Sequence, residues 1–377
     1  MLNLNTPKAH IYQNNIAVHT FELRKKINYQ TYTHIFNHLA SKYQLHSEHN
    51  TSDYYFIVWR NITGYPGVGI CLVGPNHYIE DKYFSYSLRL FVNPLILTTG
   101  HNLYLEIFKP TTATVNNLIN QLNNLLSDIK SPYTVDDLNI YRIDYCLNLI
   151  FDNPLSDNIV NCYLDLLTRG NVAARPKMLN AYHNMKKHHT QFPNCTKFDY
   201  DAFSLTAYNK TAQMLDINEP FPDEFLNKYL RIELSAHKTK AQYIYNSNRY
   251  TSLSQLLLNS PAEAKKQLKW HLTEHFQTGY YLSYTNAKKH IENCRVKKII
   301  SSKDQDLMLA FVELVSKKQS IFATINSFTD VSVHRINHLL YLFDKIKLNP
   351  VTIPRRWFDA VDSIKLQSLT NFVQLPD

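Results

Sequence analysis

Apolar and polar residues alternate along residues 203–210 (FSLTAYNK), and the same two-residue period returns at 141–151 (YRIDYCLNLIF) and 229–237 (YLRIELSAH). A period of two belongs to a β-strand, whose successive side chains point to opposite faces. The pattern predicts three strands, each with one apolar and one polar face. The first polar face carries Ser204, Thr206, Tyr208 and Lys210. The second carries Arg142, Asp144, Cys146 and Asn148, and the third Arg231, Glu233 and Ser235.

Further strands are predicted at 16–24, 54–60, 68–74, 82–93 and 103–108, with a helix at about 29–43 between the first two. Pro110 and Thr112 announce a helix whose apolar positions Val115, Leu118, Ile119, Leu122, Leu126 and Ile129 keep the 3.6-residue period. Ser156 is expected to cap another helix running to about 168, and Pro222 and Asp223 to start a short one. After about residue 250 helical patterning takes over, at 252–259, 261–276, 304–317 and 332–346. The basic runs Lys288-Lys289-His290 and 295–298 interrupt these segments. Residues 332–346, a break at Asn349-Pro350 and then IPRRWFDAVDSIKL suggest a helix-turn-helix, with Arg355 and Arg356 near a helix start where phosphate can bind. Strands mixed with helices in this order predict an α+β fold, an antiparallel sheet with helices on one face and a site on the other. The boundaries are an α+β domain over 1–250 and a mainly helical domain over 251–377.

Composition narrows the partners. The chain has 377 residues, 44% of them apolar, so it can bury a large core. A formal charge of +9 favours a polyanion, and 26 Tyr with 19 Phe supply stacking surface for single-stranded nucleic acid. AT-rich codon bias produces the same composition. Five cysteines with no CxxC fit a reducing compartment. No basic-then-apolar leader opens the chain, and no apolar run nears the ~18 residues that span a bilayer. These features read as a cytoplasmic protein without a membrane partner. The sole glycine cluster, 64–69, lacks the Lys-Ser/Thr of a phosphate-cradling loop, so strand unwinding falls to a partner.

Charges on interior strands cost free energy unless they are paired or bound to a metal. Three such strands side by side collect Asp144, Glu233, Tyr208 and Lys210 into one site. Two carboxylates suit a hard divalent cation, and Lys210 or that cation favours the phenolate of Tyr208. Arg142 and Arg231 share faces with the acids, where they contact phosphate or neutralise the carboxylates. The loop at 184–191 places Lys186, Lys187 and His188 for phosphate contact. His183, His188, His189 and Cys195 match no zinc-finger spacing. HLTEH at 271–275 matches a zinc-peptidase pattern, but with 17 His such a match recurs by chance and no third ligand follows.

The order RIDYCLNL, YNK, RIEL resembles the rolling-circle replication initiators, the family of the filamentous-phage replication endonuclease and Rep_trans-type plasmid initiators. The likeness begins near Asn93-Pro94 and Gly100-His101-Asn102 and covers a core of about 95–243. It implies an HUH-like, Rep-type nicking domain and a winged-helix or helix-turn-helix tail. It further implies Tyr208 as the nicking nucleophile with Lys210 as companion, and Asp144 and Glu233 as ligands of Mg2+ or Mn2+. Arg142, Arg231, Lys186, Lys187, His188, Arg355 and Arg356 are then DNA-binding candidates. The expected partners are single-stranded or cruciform origin DNA, the duplex flank, and a helicase and polymerase of a bacterial host. Asn148 stands where many members carry a second acid, and the His-hydrophobe-His motif of the wider superfamily is absent. A mobilisation relaxase shares this chemistry, and a non-enzymatic DNA-binding regulator would keep the basic tail without the acids.

Overall fold

The structure is a computed structural model. It describes residues 8–60, 62–75, 86–101, 106–152, 159–172, 194–216, 223, 226, 228–328 and 331–374. The strands of its large sheet are β1 (Lys8–Ile27), β2 (Ser47–Asn50), β3 (Tyr54–Trp59), β4 (Val68–Pro75), β5 (Tyr86–Val92), β6 (Asn139–Asp152), β7 (Cys195–Asp199), β8 (Phe203–Asn209) and β9 (Tyr229–His237). They lie in the order β2-β3-β4-β5-β1-β6-β9-β8-β7, every neighbouring pair antiparallel. The fold is α+β. Two further strands, β10 (Tyr280–Leu282) and β11 (Lys365–Gln367), pair with each other.

The helices are α1 (Tyr29–Lys42), α2 (Pro94–Thr99), α3 (Thr112–Asp128), α4 (Ile159–Leu167), α5 (Lys210–Asp216), α6 (Lys238–Ser247), α7 (Leu253–Leu258) and α8 (Ser260–Phe276). They continue with α9 (Tyr284–Val296), α10 (Ser302–Lys318), α11 (Ile321–Ile325), α12 (Val333–Lys345) and α13 (Leu369–Gln374). Short polar caps start many of them. Asn28, Thr111, Ser252, Ser283, Ser301 and Ser332 each accept from the backbone N–H three residues on, which satisfies a donor the helix itself leaves free.

Alternation sorts the sheet into two unlike faces. Phe21, Leu23, Leu90, Ile143, Leu147, Leu205, Ile232 and Leu234 lie on the apolar one. They join a single buried cluster with Ile35 of α1, Leu122 of α3, Leu164 of α4, Ile244 of α6 and Leu268 of α8. Each such side chain contributes about 1.5–3 kcal/mol on burial. The same cluster runs on through Ile291 of α9, Phe311 of α10 and Phe343 of α12 to Phe372. The helical region after residue 250 therefore continues the core beneath the sheet. The opposite face carries the charged and hydroxyl side chains.

Several expectations change. The stretch near Asn93-Pro94 is a short capped helix. Asn93 accepts from Ile96 N–H at 3.2 Å, and Gly100 closes the helix at φ 77°, a conformation that disfavours other residues. Residues 106–110 form no strand. Of the basic runs after 287, 288–290 lies on α9 and 295–298 runs past its end; the helix buries Ala287, Ile291 and Cys294 at helical spacing and leaves Lys289 exposed. Helix α6 carries few apolar residues and was not expected. Residues 351–364 form no recognition helix but only the tight turns Arg355–Trp357 and Val361–Ser363, followed by β11. The reason lies in α4. Asp165 is buried there and accepts from Arg356 at 2.7 Å and the Trp357 indole at 2.8 Å, which holds the segment against the core. Arg356 is thereby an ion-pair partner, and Arg355 stands on a turn, not at a helix N-terminus.

Candidate active site

The three alternating stretches become β8, β9 and β6, adjacent in the sheet with β9 in the middle. Register brings their polar residues together. Tyr208 lies opposite Arg231 and Thr206 opposite Glu233 across β8–β9. Cys146 lies opposite Glu233, Asp144 opposite Ser235 and Asn148 opposite Arg231 across β9–β6. The Tyr208 hydroxyl donates to Glu233 Oε1 at 2.6 Å. Arg231 is buried. Its Nε donates to Asn148 Oδ1 at 2.7 Å, its Nη2 donates to the Tyr229 hydroxyl at 3.2 Å, and its Nη1 stands 3.9 Å from Glu233 Oε1. Asn148 holds this guanidinium without cancelling its charge, so the charge faces Glu233.

Asp144 is tied down separately. Arg142 Nη2 lies 3.1 Å from its Oδ2, and Thr20 hydrogen-bonds the same oxygen. Its Oδ1 is buried with no hydrogen-bond partner. Burial raises the Asp144 pKa against the pull of Arg142, Thr20 and Ser235. At Glu233 burial again disfavours the charge, but Arg231, the Tyr208 hydroxyl and Lys210, joined by His19 only when it is protonated, outweigh it and its pKa falls below the usual range. Burial and then the Glu233 charge push the Tyr208 phenol well above its ordinary value, so the resting tyrosine is neutral.

Lys210 differs from expectation. It is the first residue of α5 and does not extend the strand, and its Nζ donates to Gln213 Oε1 at 2.7 Å. It remains close enough to feel Arg231 and Glu233. Burial, reinforced by Arg231, lowers its pKa to about 7. Lys186, Lys187 and His188 lie outside the described residues.

The site holds a residue that alternation hid. Strict alternation along β1 would send His19 to the core with Phe21. The β1–β6 register instead shifts between Val18 and Thr20, and this bulge turns both His19 and Thr20 toward the acids. His19 Nε2 stands 3.6 Å from Glu233 Oε1, and burial lowers its pKa to about 4, so it is a neutral imidazole at pH 7. The Glu233 side chain keeps 21% exposure and His19 27%, which leaves the pair open to a ligand.

Among the described residues no three His, Cys, Asp or Glu side chains converge as a preformed metal cage. The HLTEH histidines are core aromatics. His271 is buried with its ring 3.9 Å from that of Phe203, and His275 stacks on Tyr200 at 5.3 Å. All five cysteines are buried free thiols. Among the described residues no helix is long and apolar enough to cross a membrane.

No protein-family model matches this chain, and no curated protein matches it.

Proposed function

We propose that the chain is a DNA-nicking transesterase that initiates rolling-circle replication, with Tyr208 as nucleophile. The observation that carries the reading is the 2.6 Å hydrogen bond from the Tyr208 hydroxyl to Glu233, on a polar sheet face shared with Asp144. A buried, neutral phenol needs a proton acceptor and nearby positive charge before it can attack phosphorus. Glu233 is the acceptor, and Arg231 and Lys210 supply the charge. The Tyr208 oxygen bonds to the phosphorus of a single-stranded origin, its proton passes to Glu233, and the bond to the 3′ oxygen breaks. That oxygen takes a proton from water to become the free 3′-hydroxyl primer, Glu233 returns its proton to solvent, and the 5′ phosphate stays esterified to Tyr208.

The donor set suits a divalent cation such as Mg2+ or Mn2+. Asp144 offers a buried Oδ1 without a partner, and Glu233 stands beside a neutral imidazole. When bound, such a cation supplies Lewis-acid polarisation of a non-bridging phosphate oxygen. Arg142 and Arg231 neutralise the acids in the resting site and are freed toward phosphate as a substrate enters. A sheet with its acids and tyrosine on one face and its helices on the other supports the HUH-like assignment. Exposed Lys289 on α9 and Lys297 and Lys298 just past its end, with α9 packed against β10 of the β10–β11 pair, support a winged-helix-like role for the C-terminal region in holding the duplex flank.

A single-stranded oligonucleotide pool incubated with protein and Mg2+ or Mn2+ tests the reading. A 3′-end label should become protein-linked and resist detergent, and a 5′-end label should stay on free DNA. Tyr208→Phe should form no adduct yet still bind DNA. An adduct that persists in Tyr208→Phe removes this residue from the nucleophile's role, and a wild-type protein that binds DNA without ever forming one is a regulator.

A further inference from the structure

The polar face of the sheet continues past Arg142 into strands that the chemistry above does not use. Arg24 and Arg89 are direct partners across β1–β5. Like charges placed opposite each other oppose strand pairing. Both guanidinium groups nevertheless sit over one ring, that of Tyr141, at 5.1 and 5.3 Å. Tyr141 reaches this position because the β1–β6 register shifts between Glu22 and Leu23. Arg89 also lies 5.5 Å from the Phe56 ring, and Phe56 stacks on His49 at 4.6 Å with planes 1° apart. A run of flat groups thus crosses the sheet from β2 to β6.

This run holds more positive charge than the fold neutralises. Among the described residues the acid paired with Arg89 is Glu22 at 3.7 Å, beyond hydrogen-bond reach. Burial raises the Glu22 pKa, which weakens it further as a counter-charge. Among the described residues Arg24 makes no close ion pair, and it shares Glu22 with Arg89 and Arg142. The Nε groups of Arg24, Arg89 and Arg142 are all buried without a hydrogen-bond partner. Cation–π contacts offset part of the repulsion. All three side chains stay partly exposed, so an anion can reach the outer ends of their guanidinium groups. Flat rings interleaved with guanidinium groups match a polymer of alternating phosphates and bases whose base faces are free, and in a duplex those faces are hidden. The run also joins the proposed active site. Arg142 is the partner of Glu22 on one side and ion-pairs Asp144 on the other.

We propose that this arginine–aromatic stripe is a second binding site, which holds the single-stranded DNA leading away from Tyr208. The identity of the strand rests on the nicking reading, but the binding does not. Fluorescence anisotropy of the full chain with labelled oligo(dT) and a duplex of equal length, across a salt series, tests it without nicking. Wild-type protein should prefer the single strand by tenfold or more. The double variant Arg24→Gln/Arg89→Gln should bind at least tenfold more weakly, with a salt slope shallower by about 1.4, roughly 0.7 for each lost phosphate contact. Tyr141→Ala should lose about tenfold by removing a stacking face. Circular dichroism melting checks each fold, and the arginine double variant should melt no lower than wild type because a like-charge pair is relieved. Unchanged affinity and slope in the folded double variant would overturn the proposal, as would equal affinity for duplex. Should the double variant not fold, Tyr141→Ala and the wild-type preference decide alone. Tight binding with no covalent adduct would sink the nicking reading and leave this site standing.

Discussion

Tyr208 gives its hydroxyl hydrogen to Glu233, which lies one strand over and two pairs along, since Glu233 is the partner of Thr206 and not of Tyr208. The contact is therefore diagonal across two antiparallel strands. It leaves Tyr208 directly opposite Arg231, the buried cation whose Nη1 faces the same carboxylate oxygen. Phenol, acid and guanidinium make one electrostatic unit.

Removing the acceptor should cost more than removing a bystander. Glu233→Gln keeps the shape but cannot take the tyrosine proton, and general-base loss of this kind is worth ~10²–10⁴ in rate. Single-turnover cleavage of a labelled oligonucleotide should show that loss with DNA affinity held within a few-fold. Asp144→Asn, two pairs along and tied to Arg142 and Thr20, should act chiefly by raising the Mg2+ or Mn2+ concentration needed. Equal, metal-independent losses in both would contradict this division.

Lys210 sets an alkaline limit. Its pKa falls to about 7, so it is charged below that pH and neutral above it. If its charge stabilises the transition state, kcat/KM should decline as pH rises through about 7. Lys210→Arg, which stays protonated, should flatten that limb. A pH–rate profile of both proteins is the measurement.

Acid should destabilise the fold through His271. Burial lowers its folded pKa to about 3, whereas the unfolded residue titrates near ~6.5. The unfolded state therefore binds more protons between those values, and stability present above the unfolded pKa is lost as pH falls. One such group costs up to about 1.4 kcal/mol per pH unit in that window. Urea unfolding from pH 7 to 4 should be steeper in wild type than in His271→Phe.

Arg356 should matter for stability and not for DNA. Its partner Asp165 is buried and also accepts from Arg169 at 3.2 Å and Trp357 at 2.8 Å. Asp165→Ala leaves Arg169 buried without its acid and should cost about 3–5 kcal/mol in chemical denaturation. Arg356 is half exposed, so Arg356→Ala should cost less and leave the salt dependence of DNA binding unchanged. A shallower salt slope would return Arg356 to the phosphate-contacting set.

The sequence by itself determined which side chains share a face of each strand. Residues 141–151, 203–209 and 229–237 alternate, and a pleated backbone converts alternation directly into two faces. The polar residues Asp144, Tyr208, Arg231 and Glu233 were legible on one side for that reason, and the capped amphipathic helices for the equivalent reason at a period of 3.6. What alternation cannot encode is where it breaks or which strand lies beside which. Two shifts in the β1–β6 register turned His19 toward Glu233 and Tyr141 toward Arg24 and Arg89. The Arg24–Arg89 pairing arises from contacts 65 residues apart in the chain, and the capture of Arg356 by Asp165 from a separation of 191 residues. Those placements come from long-range packing, in which a buried carboxylate or a strand register outweighs the preferences of any local stretch.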